Sequence, residues 1–81
     1  MLAADFLDRL DGHQSAAYLD GAVETLAYGL AAAGDSKKAT CVLDWYYRGA
    51  GASQVVGTLK AHRDMPVSGI LHTMVKRLCQ K

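Results

Sequence analysis

The chain has 81 residues, a net charge of +1 and 51% hydrophobic residues, which is enough for one domain with one core. Its nine basic residues are scattered, which argues against the polybasic patch of a protein that binds nucleic acid or a membrane surface. No apolar run approaches the roughly 20 residues of a membrane span. We therefore expect a single domain, residues 1–81.

The first predicted element is a short amphipathic helix. Its apolar residues recur at helical spacing: Leu2, Phe6, Leu7 and Leu10. Asp5 and Asp8 interrupt any apolar centre, so this segment does not have the pattern of a signal peptide. If the protein is exported, we expect its signal to be absent from this sequence.

The central element is a long helix, Gln14–Gly34. Its large apolar residues follow a 3.6-residue period: Leu19, Val23, Leu26 and Leu30. Asp11 and Gln14 have the spacing of a capping box, and Gly34 stands where a left-handed residue ends many helices. Gly21 is expected to let a neighbouring helix cross closely, although an exposed binding groove at the small residues is the alternative.

The segment Asp35–Arg48 admits two interpretations. Its apolar residues fit helical spacing, with Ser36 as a cap and Gly49 as a stop. Valine, tryptophan and tyrosine also favour an extended segment. We favour a helix.

Two further helices are expected after this segment. Gly49–Ala52 is predicted to be a flexible connection, and Ser53 the N-cap of a helix Gln54–His62. Pro66 is expected in the first turn of the last helix, Pro66–Leu78. The apolar faces of these two helices are Val55, Val56, Leu59, Val67, Ile70, Leu71, Met74, Val75 and Leu78. With no convincing strand pattern anywhere, the predicted fold class is all-α.

Two cysteines, Cys41 and Cys79, carry chemical information but leave two interpretations open. Their spacing matches neither a CxxC redox motif nor a zinc site. They are either buried reduced thiols in a cytosolic protein or a disulfide in an exported domain. A bridge of this loop length would stabilise the domain by about 4 kcal/mol.

Catalytic motifs are absent from the sequence. It contains no HExxH, no GxSxG and no glycine-rich phosphate loop. His13, His62 and His72 lie in different segments, and Asp20 with Glu24 is best explained as part of a solvated helix face. We expect no catalytic residues, no metal site and no cofactor, and hence no enzyme.

The best candidate contact surface is the run Asp44, Trp45, Tyr46, Tyr47 and Arg48. Tryptophan, tyrosine and arginine dominate the binding energy of many protein interfaces. The alternative is that these aromatics fill a core that is otherwise poor in aromatic residues. In a helix, Trp45 would point away from the stripe of Val42 and Tyr46, which favours its exposure.

Several of these residues together resemble the Rap/Tai family of small periplasmic immunity proteins, which neutralise peptidoglycan amidase effectors of type VI secretion. The matching positions are Tyr18–Val23, Cys41, Val55, Val56, Leu59, His62 and Cys79. The resemblance implies an all-helical fold, a disulfide between Cys41 and Cys79, no catalysis and a protein partner. A second resemblance, through Asp5-Phe6-Leu7 and the alanine-rich long helix, is to HdeA-like periplasmic acid-stress chaperones.

A helix-turn-helix module at residues 53–78 is the remaining alternative. Its recognition helix would present Val67, Ser68 and Gly69 to DNA, and none of these reads base edges well. The near-neutral charge also leaves little electrostatic affinity for DNA.

The sequence thus predicts a four- to five-helix orthogonal bundle around one long central helix, stapled by a Cys41–Cys79 disulfide. The expected function is non-catalytic protein binding in the periplasm, with Asp44–Arg48 and the Gly49–Ala52 loop inserting into a partner enzyme's cleft. The expected partner is an effector enzyme or a client protein, with a second copy of the chain as another candidate. Neither nucleic acid nor a membrane is expected as a partner.

Overall fold

Five α-helices and one π-helical turn make up most of the computed structural model, which describes residues 1–79. The helices are α1 (Ala3–Arg9), α2 (Gly12–Ala32), α3 (Ser36–Leu43), α4 (Gly51–Ala61) and α5 (Val67–Leu78). The π-helical turn, Asp44–Arg48, continues directly from α3. Over residues 1–79 there is no strand, and one isolated β-bridge pairs Leu2 with Pro66. The predicted all-α bundle around a long central helix is confirmed.

Helix α2 begins and ends where its sequence signals indicate, within two residues. The Asp11 carboxylate accepts from the Gln14 backbone N–H at 2.8 Å, and the Gln14 side chain accepts from the Asp11 N–H at 3.1 Å. This is the predicted capping box. At the other end Gly34 has a φ of 91°, the left-handed conformation that a glycine adopts without strain.

The expected close helix crossing at Gly21 is wrong. Gly21 is exposed, and a Cβ added there would meet nothing within 4 Å. The buried face of α2 carries Leu19 and Val23, each two residues away. Two residues turn an α-helix by about 200°, so Gly21 lies off the buried stripe of α2. With Ala17 it borders an open groove of about 620 Å³ between α2 and α5, as in the alternative expected at the small residues.

Residues 36–48 are helical, as favoured from the sequence. The N-cap is Asp35 rather than Ser36: its carboxylate accepts from the Lys38 N–H at 3.1 Å. Gly49 ends the helical stretch, as predicted, and its N–H donates to the Asp44 carbonyl at 3.1 Å. This bond spans five residues and closes the π-helical turn.

The predicted flexible connection before α4 is wrong. Helix α4 begins at Gly51, its N-cap is Ala50, and Ser53 lies inside the helix instead of capping it. Gly51 is buried against the preceding turn, where an added Cβ would lie 2.6 Å from the Trp45 carbonyl oxygen. This backbone approach starts the helix three residues earlier than a cap by the hydroxyl of Ser53 would.

Backbone carbonyls from the turn between α4 and α5 cap the start of α1. The Ala3 N–H donates to the Met65 carbonyl at 2.8 Å, and the Ala4 N–H donates to the Arg63 carbonyl at 2.9 Å. These bonds satisfy donors that the first turn of a helix leaves without partners. Pro66 is the N-cap of α5 rather than a residue of its first turn.

The core is one cluster between these helices. Its buried members are Ala3, Phe6, Leu19, Val23, Ala27, Ala39, Val42, Tyr46, Val55, Leu59, Val67, Ile70, Leu71, Val75 and Cys79. Most of the predicted apolar faces are therefore confirmed. Two expected core residues, Leu2 and Leu78, are exposed instead, and Ala3 fills the place expected of Leu2.

A disulfide joins Cys41 of α3 to Cys79 at the end of α5, with the two Cα atoms 5.8 Å apart. The bridge fastens the end of α5 to α3, as the family resemblance implied. Among residues 1–79, no helix combines the length and apolar character needed to cross a membrane.

Candidate protein-binding surface

The predicted contact residues Asp44–Arg48, here called the aromatic segment, form the π-helical turn after α3. A π-helical turn widens the backbone helix by one residue, and such turns occur frequently at functional sites. Its three consecutive aromatic residues take three different environments: Trp45 is half-buried, Tyr46 is buried and Tyr47 is exposed. The two roles considered from the sequence, core residue and contact residue, therefore have to be assigned to each of the three aromatics separately.

Tyr46 belongs to the core and Trp45 lies at its edge. Tyr46 is buried, and its ring makes edge-to-face contacts with the rings of Trp45 and Tyr47. Trp45 is half-buried, and its indole N–H donates to the side-chain oxygen of Gln54 in α4 at 2.8 Å. The expectation of an exposed Trp45 is thus too strong, since α4 covers part of the ring.

Tyr47 is the aromatic residue that remains available, with 49% of its surface exposed. Its hydroxyl donates to the Glu24 carboxylate of α2 at 3.1 Å. Desolvation of the hydroxyl, the hydrogen bond to Glu24 and the nearby negative charge of Asp20 together raise the pKa of Tyr47 to about 12. Tyr47 is therefore held as a neutral donor with its ring edge exposed.

Asp20 of α2 also raises the pKa of the neighbouring Tyr46. Burial raises the pKa of Tyr46, and the charge and hydrogen bonding of Asp20 raise it further. Asp20 and Glu24 are one helical turn apart on α2; Asp20 acts on both tyrosines, and Glu24 acts on Tyr47. Glu24 thus anchors the aromatic segment to α2 by a hydrogen bond, and Asp20 adds a nearby negative charge, whereas the sequence analysis assigned both residues to a solvated helix face.

Arg48 and Asp44 close the two ends of the aromatic segment. They form an ion pair of 3.8 Å, and both side chains are largely exposed. A solvent-exposed pair of this kind contributes about 0–1 kcal/mol. Either charge can therefore exchange this contact for one with a partner at little cost.

A cavity of about 560 Å³ lies beside Tyr47, between the aromatic segment, α2 and α4. Its lining residues are Phe6, Gly12, Ser15, Ala16, Leu19, Asp20, Tyr46, Tyr47, Ala52 and Val56. Most of these side chains are apolar or small, and Asp20 supplies the charge. The shape and chemistry suit an apolar side chain of a partner that carries a hydrogen-bond donor for Asp20.

The aromatic segment has a rigid support instead of the adaptable loop expected from the sequence. Beyond the contact at Gly51, a Cβ on Gly49 would lie 2.9 Å from the Trp45 carbonyl oxygen. The backbones are therefore packed directly on each other. Only Gly49 and Ala50 separate the π-helical turn from α4. The surface is pre-organised, which lowers the entropy cost of binding a partner.

The other sequence candidates do not join this surface. His13, His62 and His72 are all exposed and lie in different elements, and residues 1–79 contain no group of three or more side chains placed to hold a metal ion. Cys41 and Cys79 are bridged to each other. In α5, Val67 is fully buried and cannot contact DNA, which removes one of three residues from the helix-turn-helix interpretation.

The sequence did not place three residues at this surface: Glu24, which was assigned to a solvated helix face, Gln54 and Gly51. Glu24 and Gln54 bond to aromatics that are 23 and 9 positions away in the chain. Nothing local in the sequence indicates such pairings. Gly51 carried a signal, since a glycine inside a helix points to a close backbone approach, but it was assigned to a loop.

Comparisons with protein families, with curated proteins and with solved structures find no match to this chain.

Proposed function

We propose that the chain is an exported, non-catalytic domain that binds another protein through the aromatic segment. The observation that carries this proposal is the half-exposed Tyr47, which is fixed by Glu24 on a rigid π-helical turn beside a cavity of about 560 Å³. An exposed aromatic ring on a fixed support is a typical anchor of a protein interface. The neighbouring Arg48 adds an exposed charge at the rim.

The Cys41–Cys79 disulfide supports a location outside the cytoplasm, and we propose the periplasm. Structural disulfides persist in oxidising compartments and are rare in the reducing cytosol. A domain of 81 residues buries a small core, so a covalent crosslink contributes a large share of its stability.

The resemblance to Rap/Tai immunity proteins supplies the specific form of the proposal, which is inhibition of a peptidoglycan amidase by occlusion. The Gly49–Ala52 stretch is too short and too tightly packed to insert as a mobile loop. The proposed mechanism is therefore revised. The rigid surface around Tyr47 covers the mouth of the partner's cleft, and a partner side chain enters the neighbouring cavity.

The first experiment reads the genes adjacent to the gene for this chain and looks for an encoded enzyme. If that enzyme is a peptidoglycan amidase, the purified chain should bind and inhibit it. Tyr47→Ala should then weaken binding by roughly tenfold or more, the effect of removing an interface anchor. Binding is measured by calorimetry, and inhibition by the release of peptide from peptidoglycan.

Tyr28→Ala is the matched control, because Tyr28 is a tyrosine of α2 with 76% of its surface exposed and lies outside the cavity beside Tyr47. It should leave affinity unchanged, and circular dichroism should show both variants folded. Equal affinities of the two variants would place the contact surface elsewhere. A chain that neither binds nor inhibits the enzyme would contradict the immunity proposal.

The two alternative functions predict other behaviour of the same purified chain. An acid-stress chaperone should partly unfold at about pH 2–3 and then suppress the aggregation of client proteins. A helix-turn-helix protein should be retained by duplex DNA in a salt-dependent manner. Either result would replace the immunity proposal.

A further inference from the structure

A second groove lies on the other side of α4, between α4 and α5. It has a volume of about 710 Å³, and its apolar lining residues are Gly57, Ala61, Met65, Ile70, Met74 and Leu78. We call it the α4–α5 groove. The cavity beside Tyr47 contacts α4 at Ala52 and Val56, so the two sites use different faces of the same helix.

We propose that the α4–α5 groove binds an acidic amphipathic helix of a partner protein. The proposal concerns a surface separate from Tyr47 and does not depend on the immunity function. Three features of the groove carry it: an apolar floor without free backbone groups, a length of two helical turns, and a basic charge.

The walls of the groove offer few hydrogen bonds to an occupant. They are two helices, whose backbone groups are already paired. The hydroxyl of Thr58 donates to the Gln54 carbonyl and that of Thr73 to the Gly69 carbonyl, each at 2.9 Å. An extended peptide would leave its own backbone groups without partners here, whereas a helix satisfies them internally. The walls therefore favour a helical occupant.

The dimensions of the groove match two turns of that helix. From Ile70 to Leu78 the groove extends about 12 Å along α5, at 1.5 Å per residue. Two turns present apolar anchors at positions i, i+3 or i+4, and i+7. Met65 and Leu78 are exposed at the mouth, and flexible methionines adapt to different apolar side chains.

The charge around the groove selects an acidic occupant. Arg77 lines the groove, and among residues 1–79 no carboxylate lies within ion-pairing distance of it. The charge of the chain is also divided. Residues 51–79 contain four basic residues and one acidic residue, whereas residues 1–50 contain seven acidic and four basic residues. Of the four basic residues in 51–79, Arg63 is paired with Asp8, and Arg77 is the one that lines the groove. A partner helix with glutamates flanking its apolar face complements the basic half.

The test uses two synthetic 16-residue helical peptides as probes, with leucines at i, i+3 and i+7. The peptides differ in the flanking residues, which are glutamates in one and lysines in the other. Titrated into the ¹⁵N-labelled full chain, the glutamate peptide should shift the amide signals of Gly57, Ala61 and Met74. It should bind roughly tenfold more tightly than the lysine peptide. In Arg77→Glu this preference should reverse.

Gly57→Leu should abolish binding by filling the groove. A Cβ at Gly57 meets nothing within 4 Å, and leucine is a better helix former than glycine, so the Tm should be unchanged or raised. Gly29→Leu is the matched control at another helical glycine with open space, and it should bind the peptide normally. Equal binding of the two peptides, or shifts confined to other helices, would overturn the proposal. Groove signals that change on dilution of the chain alone would overturn it in favour of a second copy as the occupant.

Discussion

At the scale of single residues, the hydroxyl of Tyr47 gives the candidate surface a testable electrostatic property. Its folded pKa is raised from 10.0 to about 12, by desolvation first and then by Glu24 and Asp20. The unfolded chain therefore loses this proton at lower pH than the folded chain does. The stabilisation is complete below pH 10, declines as the pH rises from 10, and is lost by about pH 12.

We predict that Tyr47→Phe loses less stability than the wild type between pH 10 and pH 12, because phenylalanine has no proton to release. The measurement is the free energy of unfolding by urea at several pH values across this range. Tyr28→Phe is the control, since Tyr28 is exposed and its hydroxyl takes no part in the hydrogen bond between Tyr47 and Glu24. Parallel curves for wild type and Tyr47→Phe would show that the Tyr47 hydroxyl is not held by Glu24.

The aromatic segment also shows which roles of single residues could be predicted from the sequence and which could not. The sequence identified Asp44–Arg48 as a candidate contact surface, but it left open whether the aromatic residues belong to the core or contact a partner. A regular helix would place Trp45 outward, but the π-helical turn changes the angular spacing and α4 covers part of its ring. A π-helical turn is stabilised by its surroundings, here the packing of Gly51 on Trp45, and local propensity carries no signal of such a contact.

At the scale of the elements, the helices followed from apolar periodicity and caps, whereas one boundary depended on tertiary packing. The Asp11–Gln14 capping box is local, and it set the start of α2 as predicted. The start of α4 depends on residues five and six positions earlier: the carbonyl of Trp45 and the Cα of Tyr46 lie against Gly51. Ser53 has the chemistry of an N-cap, but the backbone contact at Gly51 overrides it.

We predict that Gly51→Ala destabilises the protein by about 1–3 kcal/mol, the usual cost of overpacking a tight contact. The new Cβ would lie 2.6 Å from the Trp45 oxygen and 2.7 Å from the Tyr46 Cα, and neither backbone atom moves easily. Gly57→Ala in the same helix is the matched control. It has open space, and it should stabilise the chain by about 0.5–1 kcal/mol through helix propensity.

Urea unfolding of the two alanine variants measures both effects in one experiment. Tryptophan fluorescence is a suitable probe, since Trp45 lies at the affected contact. If Gly51→Ala were as stable as the wild type, the helix would have to start later, near Ser53, as the sequence alone suggested. Opposite signs for the two glycines would establish that α4 is fixed to the aromatic segment by backbone packing.

At the scale of the whole molecule, the disulfide connects the stability of the domain to its proposed location. A domain of 81 residues is expected to be stable by about 4–12 kcal/mol. The Cys41–Cys79 bridge closes a loop with a sequence separation of 38, worth about 4 kcal/mol in the chain-entropy treatment. By these figures the disulfide contributes a third or more of the expected free energy of unfolding.

We predict that reduction lowers the free energy of unfolding by about 4 kcal/mol. The sharpest comparison is the wild type with and without reductant, because both samples have the same side chains. The Cys41→Ala/Cys79→Ala variant is the control: it should match the reduced wild type, apart from the cost of the volume lost at the buried Cys79, and should not respond to reductant. Calorimetric and urea unfolding measure the difference, and a thiol titration of denatured, unreduced protein should find no free thiol.

The same measurement bears on where the protein acts. In a reducing compartment the chain would have to fold without the bridge, with about 4 kcal/mol less stability from a core in which alanine fills several positions. A reduced chain that is largely unfolded at 37 °C would make an oxidising compartment a requirement for function. A reduced chain that stays fully folded, or free thiols in the isolated protein, would remove the physical argument for export. The surface around Tyr47 would then have to be tested against cytosolic partners instead.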